Sequence, residues 1–258
     1  METLVVERSQ GIVTVTLNRP ERKNAMNMAM WRELRATFAE VAERTDDRVV
    51  VLTGAGDGFC SGADLQGLPI GPDDPHTMNF MRFIGAVALA LHQLTKPTIA
   101  KVNGVAAGAG CNLALGCDLI VASEEARFSE IFSRRGLSID FGGSWVLPRL
   151  VGLHKAKELA FFADVISAQE ANELGLVNRV VPAAELDAFV TGWATKLAAG
   201  PPVALSMTKA MLNTGMTSSI FEALENEARC QSINFQSADA AEAMQAFGEK
   251  RDPTFIGR

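Results

Sequence analysis

Two kinds of hydrophobic pattern run along the chain, and each predicts a different element. The segment "GIVTVTLN" at residues 11–18 alternates apolar and polar positions and is rich in β-branched residues, which predicts a strand. The segment "RVVVLTG" at residues 48–54 is a continuous apolar run ended by glycine, which predicts a buried strand. Three later segments, "PTIAKVNG", "DLIVAS" and "GLVNRVVP", follow the same style and predict further strands.

Helical periodicity lies between these strands. Trp31, Leu34, Phe38 and Val41 form one stripe at helical spacing within residues 28–44, which predicts an amphipathic helix. A second long helix is expected over residues 77–95, and the "SAQE" segment predicts a capping box that opens a short helix. Because strands, helices and glycine-rich loops keep alternating to about residue 182, the sequence predicts an α/β fold.

The C-terminal part of the chain has a different pattern. From residue 183 onward it predicts three or four helices and no strands, with a boundary marked by Pro201 and Pro202. We therefore divide the chain into a core at residues 1–195 and a helical region at residues 196–258. A helical appendage with apolar stripes packs on its own core or on another subunit, and we favour oligomerisation.

Composition and charge exclude several classes of protein. The chain has 258 residues, of which 48% are hydrophobic and 21% charged, which is typical of a globular protein. Its net charge of −6 argues against a nucleic-acid partner or a basic membrane anchor. No apolar run reaches the roughly 18 residues of a transmembrane span. The opening "METLVVERSQG" is acidic and too short in apolar length for a secretory signal.

The cysteines and histidines show no metal-binding spacing. Cys111 and Cys117 do not form a C-x-x-C motif, and no histidine pair lies near them in sequence. No metal site is therefore expected. Reduced, mostly buried thiols fit a cytoplasmic protein. Since the chain contains no tyrosine, its chemistry does not use a phenol.

Two glycine-rich loops are the candidates for chemistry. They are "GAGDGFCSGADL" at residues 54–65 and "GVAAGAGCNLAL" at residues 104–115, and each follows a predicted buried strand and leads into a helix. The first turn of a helix offers free N–H groups at the positive end of its dipole. Small residues let a substrate oxygen come close to the backbone. One N–H group from each loop would form an oxyanion hole for a developing enolate.

These loops have two rival interpretations. A dinucleotide-binding fingerprint fails, because Phe59 stands where the third glycine after Gly54 and Gly56 is required. Tight turns alone explain the glycines equally well, because isolated glycine loops are weak signals.

Several longer segments resemble one known family. They are "NRPERKNAMN", "GAGDGFCSGADL", "KPTIAKVNGVAAGAGCNLALGCDLIVAS", "ARFSEIFSRRGLSIDFGGSWVLPRLVG" and "SAQEANELGLVNRVVP", and they resemble the crotonase superfamily, the enoyl-CoA hydratase/isomerase proteins. The resemblance covers nearly the whole chain and implies a spiral core of ββα units with a C-terminal helical trimerisation region. It also implies acyl-CoA thioester substrates, a homotrimer or dimer of trimers, and no metal or redox cofactor, since coenzyme A is part of the substrate.

The resemblance assigns roles to single residues. It places the two oxyanion N–H groups on Ala63 and Ala109; the family often has glycine at the second position, but alanine donates the same N–H group. It implies an acyl pocket lined partly by residues 67–81, including Leu68, Phe80 and Met81, in a stretch whose "PIGPDDPH" is typical of a loop. An alternative interpretation of Lys23 is a solvated surface charge without a role in binding coenzyme A. The residues that the resemblance places beside coenzyme A and its thioester are Lys23, Ala25, Ala63, Asp64, Leu65 and Gln66.

Family hydratases usually hold a water molecule between two glutamates, and this chain matches neither. The first position is Asn112 and the second is Phe132, with Glu130 two residues short of it. Asparagine hydrogen-bonds a water molecule but does not take its proton at neutral pH. The resemblance therefore leaves Asn112 and Phe132 as substrate-contacting residues without acid–base chemistry.

One acid remains in the segment "GLSIDFGG", namely Asp140. In the family's dienoyl-CoA isomerases, chlorobenzoyl-CoA dehalogenases and ring-epoxide phenylacetyl-CoA isomerases, an aspartate at this place does the chemistry, and the whole pattern resembles the last branch most. Apolar walls from Ile139, Phe141 and Trp145 would raise the pKa of its carboxyl group, which suits a base that returns its proton. From the residues alone we favour a helix N-cap for Asp140; with the resemblance we favour catalysis.

A single carboxylate suits a 1,3-proton shift, so the favoured function is double-bond or ring isomerisation of an enoyl-CoA. An enoyl-CoA hydratase with a non-standard water-positioning group and a non-catalytic acyl-CoA-binding protein stay open as alternatives. A dehalogenase ranks low, because it needs a histidine and only His154 follows these motifs. An RNA-binding branch of the family uses a lysine-rich helix, and the matching segment "MWRELRATFAEVAERTDD" contains no lysine.

Overall fold

The computed structural model of the protein describes residues 1–66 and 77–258. Within these ranges ten strands form two sheets. The strands are β1 (Leu4–Ser9), β2 (Ile12–Leu17), β3 (Val49–Gly54), β4 (Gly58–Cys60), β5 (Thr98–Val102), β6 (Val105–Ala107), β7 (Leu119–Ser123), β8 (Arg127–Ser129), β9 (Ile166–Ser167) and β10 (Arg179–Val181).

The same ranges contain nine α-helices, the fourth of which is kinked at Gly152. The helices are α1 (Met28–Glu43), α2 (Thr77–His92), α3 (Ala109–Leu115), α4 (Gly143–Phe162), α5 (Ala168–Glu173), α6 (Leu186–Ala198), α7 (Pro202–Gly215), α8 (Ile220–Asn234) and α9 (Ala238–Glu249).

The chain winds through the two sheets as a spiral. The six-stranded sheet has the order β1-β2-β3-β5-β7-β10 and the four-stranded sheet the order β4-β6-β8-β9. Three successive units, β3–β4–α2, β5–β6–α3 and β7–β8–α4, each place their first strand in the larger sheet and their second in the smaller one. Corresponding strands of neighbouring units pair in parallel. This confirms the predicted α/β fold with a spiral core of ββα units.

The larger sheet is covered on both faces, which explains the continuous apolar run of β3. Val49 and Val51 pack against a cluster that contains Leu186 and Val190 of α6. Val50 and Leu52 point the other way, into the main core beneath α1. A parallel strand buried on both faces needs apolar residues at every position, so the strand was predictable from sequence.

The helix predictions also agree with the structure. Trp31, Leu34, Phe38 and Val41 of α1 are all buried, which confirms the predicted stripe. α2 begins at the expected residue and ends three residues earlier than expected. The "SAQE" capping box is present: the Ser167 hydroxyl accepts from the Glu170 N–H, and the Glu170 carboxylate accepts from the Ser167 N–H.

The helical tail follows as expected, with four α-helices after residue 183. α6 packs on the larger sheet, whereas α7 and α8 fully bury none of their described residues. α9 is attached to the chain end through Asp239, whose carboxylate accepts from the N–H groups of Ile256 and Gly257 at 2.7 and 2.9 Å. The division into residues 1–195 and 196–258 stays a prediction; its boundary falls in the last turn of α6.

Among the helices of the described ranges, none combines the length and the apolar character that a membrane crossing requires. The acyl-pocket prediction for Leu68 and the "PIGPDDPH" segment falls outside the described residues. Phe80 and Met81 lie in the first turns of α2, where Phe80 is partly buried against the core.

Candidate active site

The two glycine-rich loops meet because the strands before them are neighbours. β4 and β6 pair in parallel, with Gly58 opposite Val105 and Cys60 opposite Ala106. Parallel strands end at the same edge of a sheet, so the segments that follow emerge side by side. Ala63 and Ala109 stand at equivalent distances beyond this pairing. The sheet thus brings together the two alanines that the sequence assigned to the oxyanion hole.

Gly62 allows the two loops to approach. Its φ of +104° is one that side chains disfavour, and an added Cβ would lie 2.9 Å from the Ala107 carbonyl oxygen and 3.7 Å from the Ala109 nitrogen. Within the described residues, the N–H groups of Ala63 and Ala109 donate to no backbone acceptor. No backbone acceptor of the described residues competes for these two groups, so both remain candidate donors to a ligand oxygen.

The residues predicted to bind coenzyme A form one strip. The Ser61 N–H donates to the Lys23 carbonyl at 2.9 Å, and the Asp64 N–H donates to the Met26 carbonyl at 2.9 Å. Met26 and Ala63 form an isolated parallel bridge. Ala25 therefore lies alongside the loop that carries Asp64, Leu65 and Gln66, and Leu65 and Gln66 are exposed.

Polar contacts that the sequence analysis did not single out hold this strip. Asn24 is fully buried with φ at 56°, and its Nδ2 donates to the carbonyls of Ala55 and Gly58 at 2.9 and 2.8 Å. Arg19 pairs with Asp64 at 2.9 Å. The sequence signal for Asn24 was weak but physical, because asparagine tolerates a left-handed backbone and bonds nearby main chain.

Lys23 points outward from the strip. Its ammonium group pairs with Asp57, and both side chains are largely exposed. An exposed ion pair of this kind contributes little to folding stability, which leaves Lys23 available to an anionic ligand.

Phe132 lies beside the oxyanion loop. It is buried within a 3-10 helix at Ile131–Arg135, and its ring tip would lie 3.7 Å from a Cβ added to Gly108. Gly108 immediately precedes Ala109. The position where the resemblance predicts a second hydratase glutamate therefore contributes an apolar surface close to Ala109, the second predicted oxyanion donor.

Asn112 connects two acidic segments of the site. Its Nδ2 donates to the Glu130 carboxylate at 3.2 Å and to the Asp140 backbone carbonyl at 3.0 Å. Both neighbours are acceptors, so the amide must turn its NH2 group toward them. Gly143 makes room for this side chain, because a Cβ there would lie 2.3 Å from Asn112 Nδ2.

Asp140 lies in the segment just before α4, and it is not the helix N-cap. The N-cap is Gly142, with φ at 82°, and no side chain caps the first turn. The N-cap interpretation of the Asp140 side chain is therefore wrong. Asp140 Oδ1 is buried and receives no hydrogen bond from the described residues. Burial raises the pKa of this carboxyl group to about 6.

Two of the residues predicted to form an apolar wall around Asp140 pack against side chains of other helices. Phe141 is buried and packs against Trp31, with ring centroids 5.3 Å apart. Trp145 instead packs edge-on against His92, with centroids 5.0 Å apart. Phe141 and Asn112 also line a groove of about 640 Å³ between α2, α4 and α7, whose described lining includes neither oxyanion alanine nor Asp140.

Glu130 is the acidic residue whose position sequence reasoning left undecided. Its side chain is buried behind Asn112, and its Oε1 has no partner among the described residues. Burial raises the pKa of Glu130 to about 7; the Cys111 thiol and Asn112 amide lower it, and the Asp140 charge raises it further. The described residues contain no group of three or more metal-ligating side chains.

The spiral fold and the paired loops are those expected of an acyl-CoA-processing protein, and the comparisons show the family. Residues 7–258 match the family model of the enoyl-CoA hydratase/isomerase proteins, so the chain belongs to this family. A probable enoyl-CoA hydratase of Rhodobacter capsulatus is 40% identical over 260 residues, which cover 99% of this chain and 98% of that one. The 1,2-epoxyphenylacetyl-CoA isomerase of Escherichia coli is 39% identical over 100% of both chains. A crystal structure of enoyl-CoA hydratase from Bacillus anthracis has a TM-score of 0.95 and 34% identity, covering 99% of this chain and 100% of that one.

Proposed function

We propose that this enzyme isomerises the acyl group of an enoyl-CoA thioester, with Asp140 as the acid and base. The observation that carries the proposal is the Asp140 carboxyl group itself. It is half-buried, it does not cap a helix, and one of its oxygens lacks a donor among the described residues. The two hydratase glutamate positions hold Asn112 and Phe132 instead.

The proposed reaction is a proton shift without net loss of atoms. The thioester carbonyl accepts hydrogen bonds from the N–H groups of Ala63 and Ala109, which stabilises an enolate and acidifies the adjacent C–H bond. Ionised Asp140 removes that proton, the electron pair enters the allylic system, and Asp140 returns the proton to a different carbon. The double bond moves and no water is consumed.

The remaining parts of the site bind coenzyme A in this proposal. The strip that contains Ala25, Asp64, Leu65 and Gln66 lies next to Ala63, and the exposed Lys23 ammonium suits a phosphate group. Asn112 and Phe132 border the acyl group. Coenzyme A is part of the proposed substrate, and the proposed proton shift needs no metal or redox cofactor.

We also propose a homotrimer or a dimer of trimers built through the C-terminal helices. Large apolar side chains stay exposed along α7–α9 in the single chain, and Phe247 is 86% exposed. Patches of this kind on a soluble protein mark interaction surfaces. The other exposed apolar residues of these helices include Leu212, Ile220, Phe221, Leu224, Ile233 and Met244.

Two particular reactions, ring isomerisation and hydration, have specific support. The relative named 1,2-epoxyphenylacetyl-CoA isomerase favours ring isomerisation as the particular reaction. Hydration is the second candidate, because another relative is named a probable enoyl-CoA hydratase and because Glu130 adds a second buried carboxyl group near Asn112.

Proton NMR in heavy water separates these reactions. Wild-type protein and Asp140→Asn are offered a 3-enoyl-CoA, a 2-enoyl-CoA and a ring epoxide of phenylacetyl-CoA, with Asp187→Asn as a matched surface control. We expect isomer formation with deuterium uptake, reduced about 10²- to 10⁴-fold in Asp140→Asn and unchanged in Asp187→Asn. Formation of 3-hydroxyacyl-CoA at a comparable rate supports hydration instead, and tight acyl-CoA binding without any product supports a non-catalytic binder.

The pH profile of the same assay checks the role of Asp140. A base must be ionised, so activity should rise with pH through about 6, the raised pKa of this carboxyl group. Below that pH we expect kcat/KM to fall by about tenfold per pH unit. A flat profile from pH 5 to 7 contradicts Asp140 as the base.

A further inference from the structure

We infer that Glu130 is a positioning residue of this site, which acts on Asp140 through the Asn112 side chain. The inference rests on the proposed role of Asp140 as the base. Glu130 occupies none of the positions that the family resemblance assigned to chemistry, and it contacts the reaction only through its neighbours.

The hydrogen bonds show how the effect is transmitted. Asn112 has two amide hydrogens, and the structure gives it two acceptors, Glu130 Oε2 and the Asp140 carbonyl. The first bond fixes the rotation of the amide, so the second hydrogen points at the backbone of Asp140. Without an acceptor at residue 130, the amide keeps only its bond to the Asp140 carbonyl, and its orientation toward the Asp140 segment is less firmly fixed.

These side chains are buried, so an unsatisfied hydrogen-bonding group or an unpaired charge among them is costly. Asn112 Oδ1, Glu130 Oε1 and Asp140 Oδ1 are all buried acceptors that lack a donor within the described part of the chain. Buried acceptors without donors are unfavourable, and two ionised carboxylates here repel each other. A proton on Glu130 removes the repulsion between the two charges, and the Asp140 carboxylate is then free to act as base.

The surroundings of Glu130 favour this distribution of charge. The titratable groups around it are the Cys111 thiol on α3, Asp140 before α4, and Asp164 after α4. Asp164 pairs with Arg134 at 2.6 Å, and no ion pair within the described part of the chain includes Glu130. The adjoining void measures about 10 Å³, which leaves room for at most one water molecule.

Kinetics of three variants test the positioning role. Glu130→Met removes the acceptor at similar volume, Glu130→Gln keeps an acceptor without charge, and Glu33→Gln is a control at a remote hydrogen-bonded carboxylate. We expect Glu130→Met to lower kcat about 10- to 100-fold with KM within about threefold of wild type. Glu130→Gln should stay within about threefold of wild-type kcat. Wild-type kcat in Glu130→Met, or equal losses in the Met and Gln variants, overturns the inference.

An infrared titration tests the electrostatic coupling between Glu130 and Asp140 directly. It requires neither enzyme activity nor the Glu130→Met variant. A protonated carboxyl group gives an infrared C=O band. The band that is present in the wild type and absent in Glu130→Gln is assigned to Glu130. We expect this band to be lost near pH 7 in the wild type, and at lower pH in Asp140→Asn, where the neighbouring negative charge is absent. The same midpoint in both proteins overturns the inference.

The two readouts separate this inference from the proposed function. An isomerase that is abolished by Asp140→Asn but indifferent to both Glu130 variants keeps the proposed function and removes the role of Glu130. A wild type without isomerase activity contradicts the proposed function. The infrared titration then still tests the coupling between Glu130 and Asp140 independently of activity.

Discussion

At the scale of single residues, the site depends on one amide and the space made for it. Asn112 stands where the resemblance predicts a hydratase glutamate, and its amide donates to Glu130 and to the Asp140 carbonyl. Its position requires Gly143, since any side chain there would overlap the amide. Whether Asn112 also touches the acyl group stays a prediction.

Replacing this glycine should disturb the site without touching a charge. A Cβ at residue 143 would lie 2.3 Å from Asn112 Nδ2, so Gly143→Ala should lower the free energy of unfolding by about 1–3 kcal/mol and also reduce kcat. The control is Gly192→Ala in α6, where a Cβ meets no atom within 4 Å. The control should be neutral or stabilise by about 0.5–1 kcal/mol. Denaturant unfolding measures both, and equal stabilities of the two variants contradict the argued overlap.

At the scale of secondary-structure elements, some elements are specified by local sequence signals and others by pairing with remote segments of the chain. The capping box of α5 was predictable because it needs only a serine and a glutamate three residues apart. Strands β4, β6, β8 and β9 have two or three residues each and were not predicted. Segments so short carry no period, and their pairing with one another defines them. Two of these strands, β4 and β6, bring together Ala63 and Ala109, the predicted oxyanion donors.

The capping box provides a test at this scale. Ser167→Ala removes the hydroxyl that accepts from the Glu170 N–H, so it should destabilise the protein by about 0.5–2 kcal/mol. Gln169→Ala, in the same exposed first turn, should change stability by less than about 0.5 kcal/mol. Thermal unfolding of the two variants checks the difference, and a Ser167→Ala protein as stable as wild type would show that the cap contributes nothing.

At the scale of the whole molecule, the tail has more apolar surface than the core can cover. α7 and α8 bury none of their described residues completely, and Phe221 and Phe247 are largely exposed. A core with its own two clusters of buried side chains does not need these helices for its packing. The tail is therefore the region where the proposed subunit contacts belong.

Sedimentation velocity tests this assignment. We expect the wild type to sediment as a trimer or hexamer, and Phe247→Glu to shift it toward smaller species, because a buried unpaired charge is costly at an interface. Gln245→Glu adds the same charge two residues away on the exposed part of α9 and should leave the distribution unchanged. A monomeric wild type would contradict the proposed assembly.

The sequence by itself determined the family, the α/β class, the two-faced strand β3 and the buried stripe of α1. These features follow from residue periodicity and from ordered motifs, which are local properties of a chain. Only the tertiary structure decided the place of Glu130, the orientation of the Asn112 amide and the cap of α4. The first two depend on contacts between α3, the end of β8 and the segment before α4, which are remote in sequence. No local pattern encodes where such segments meet, because packing of the whole core brings them together.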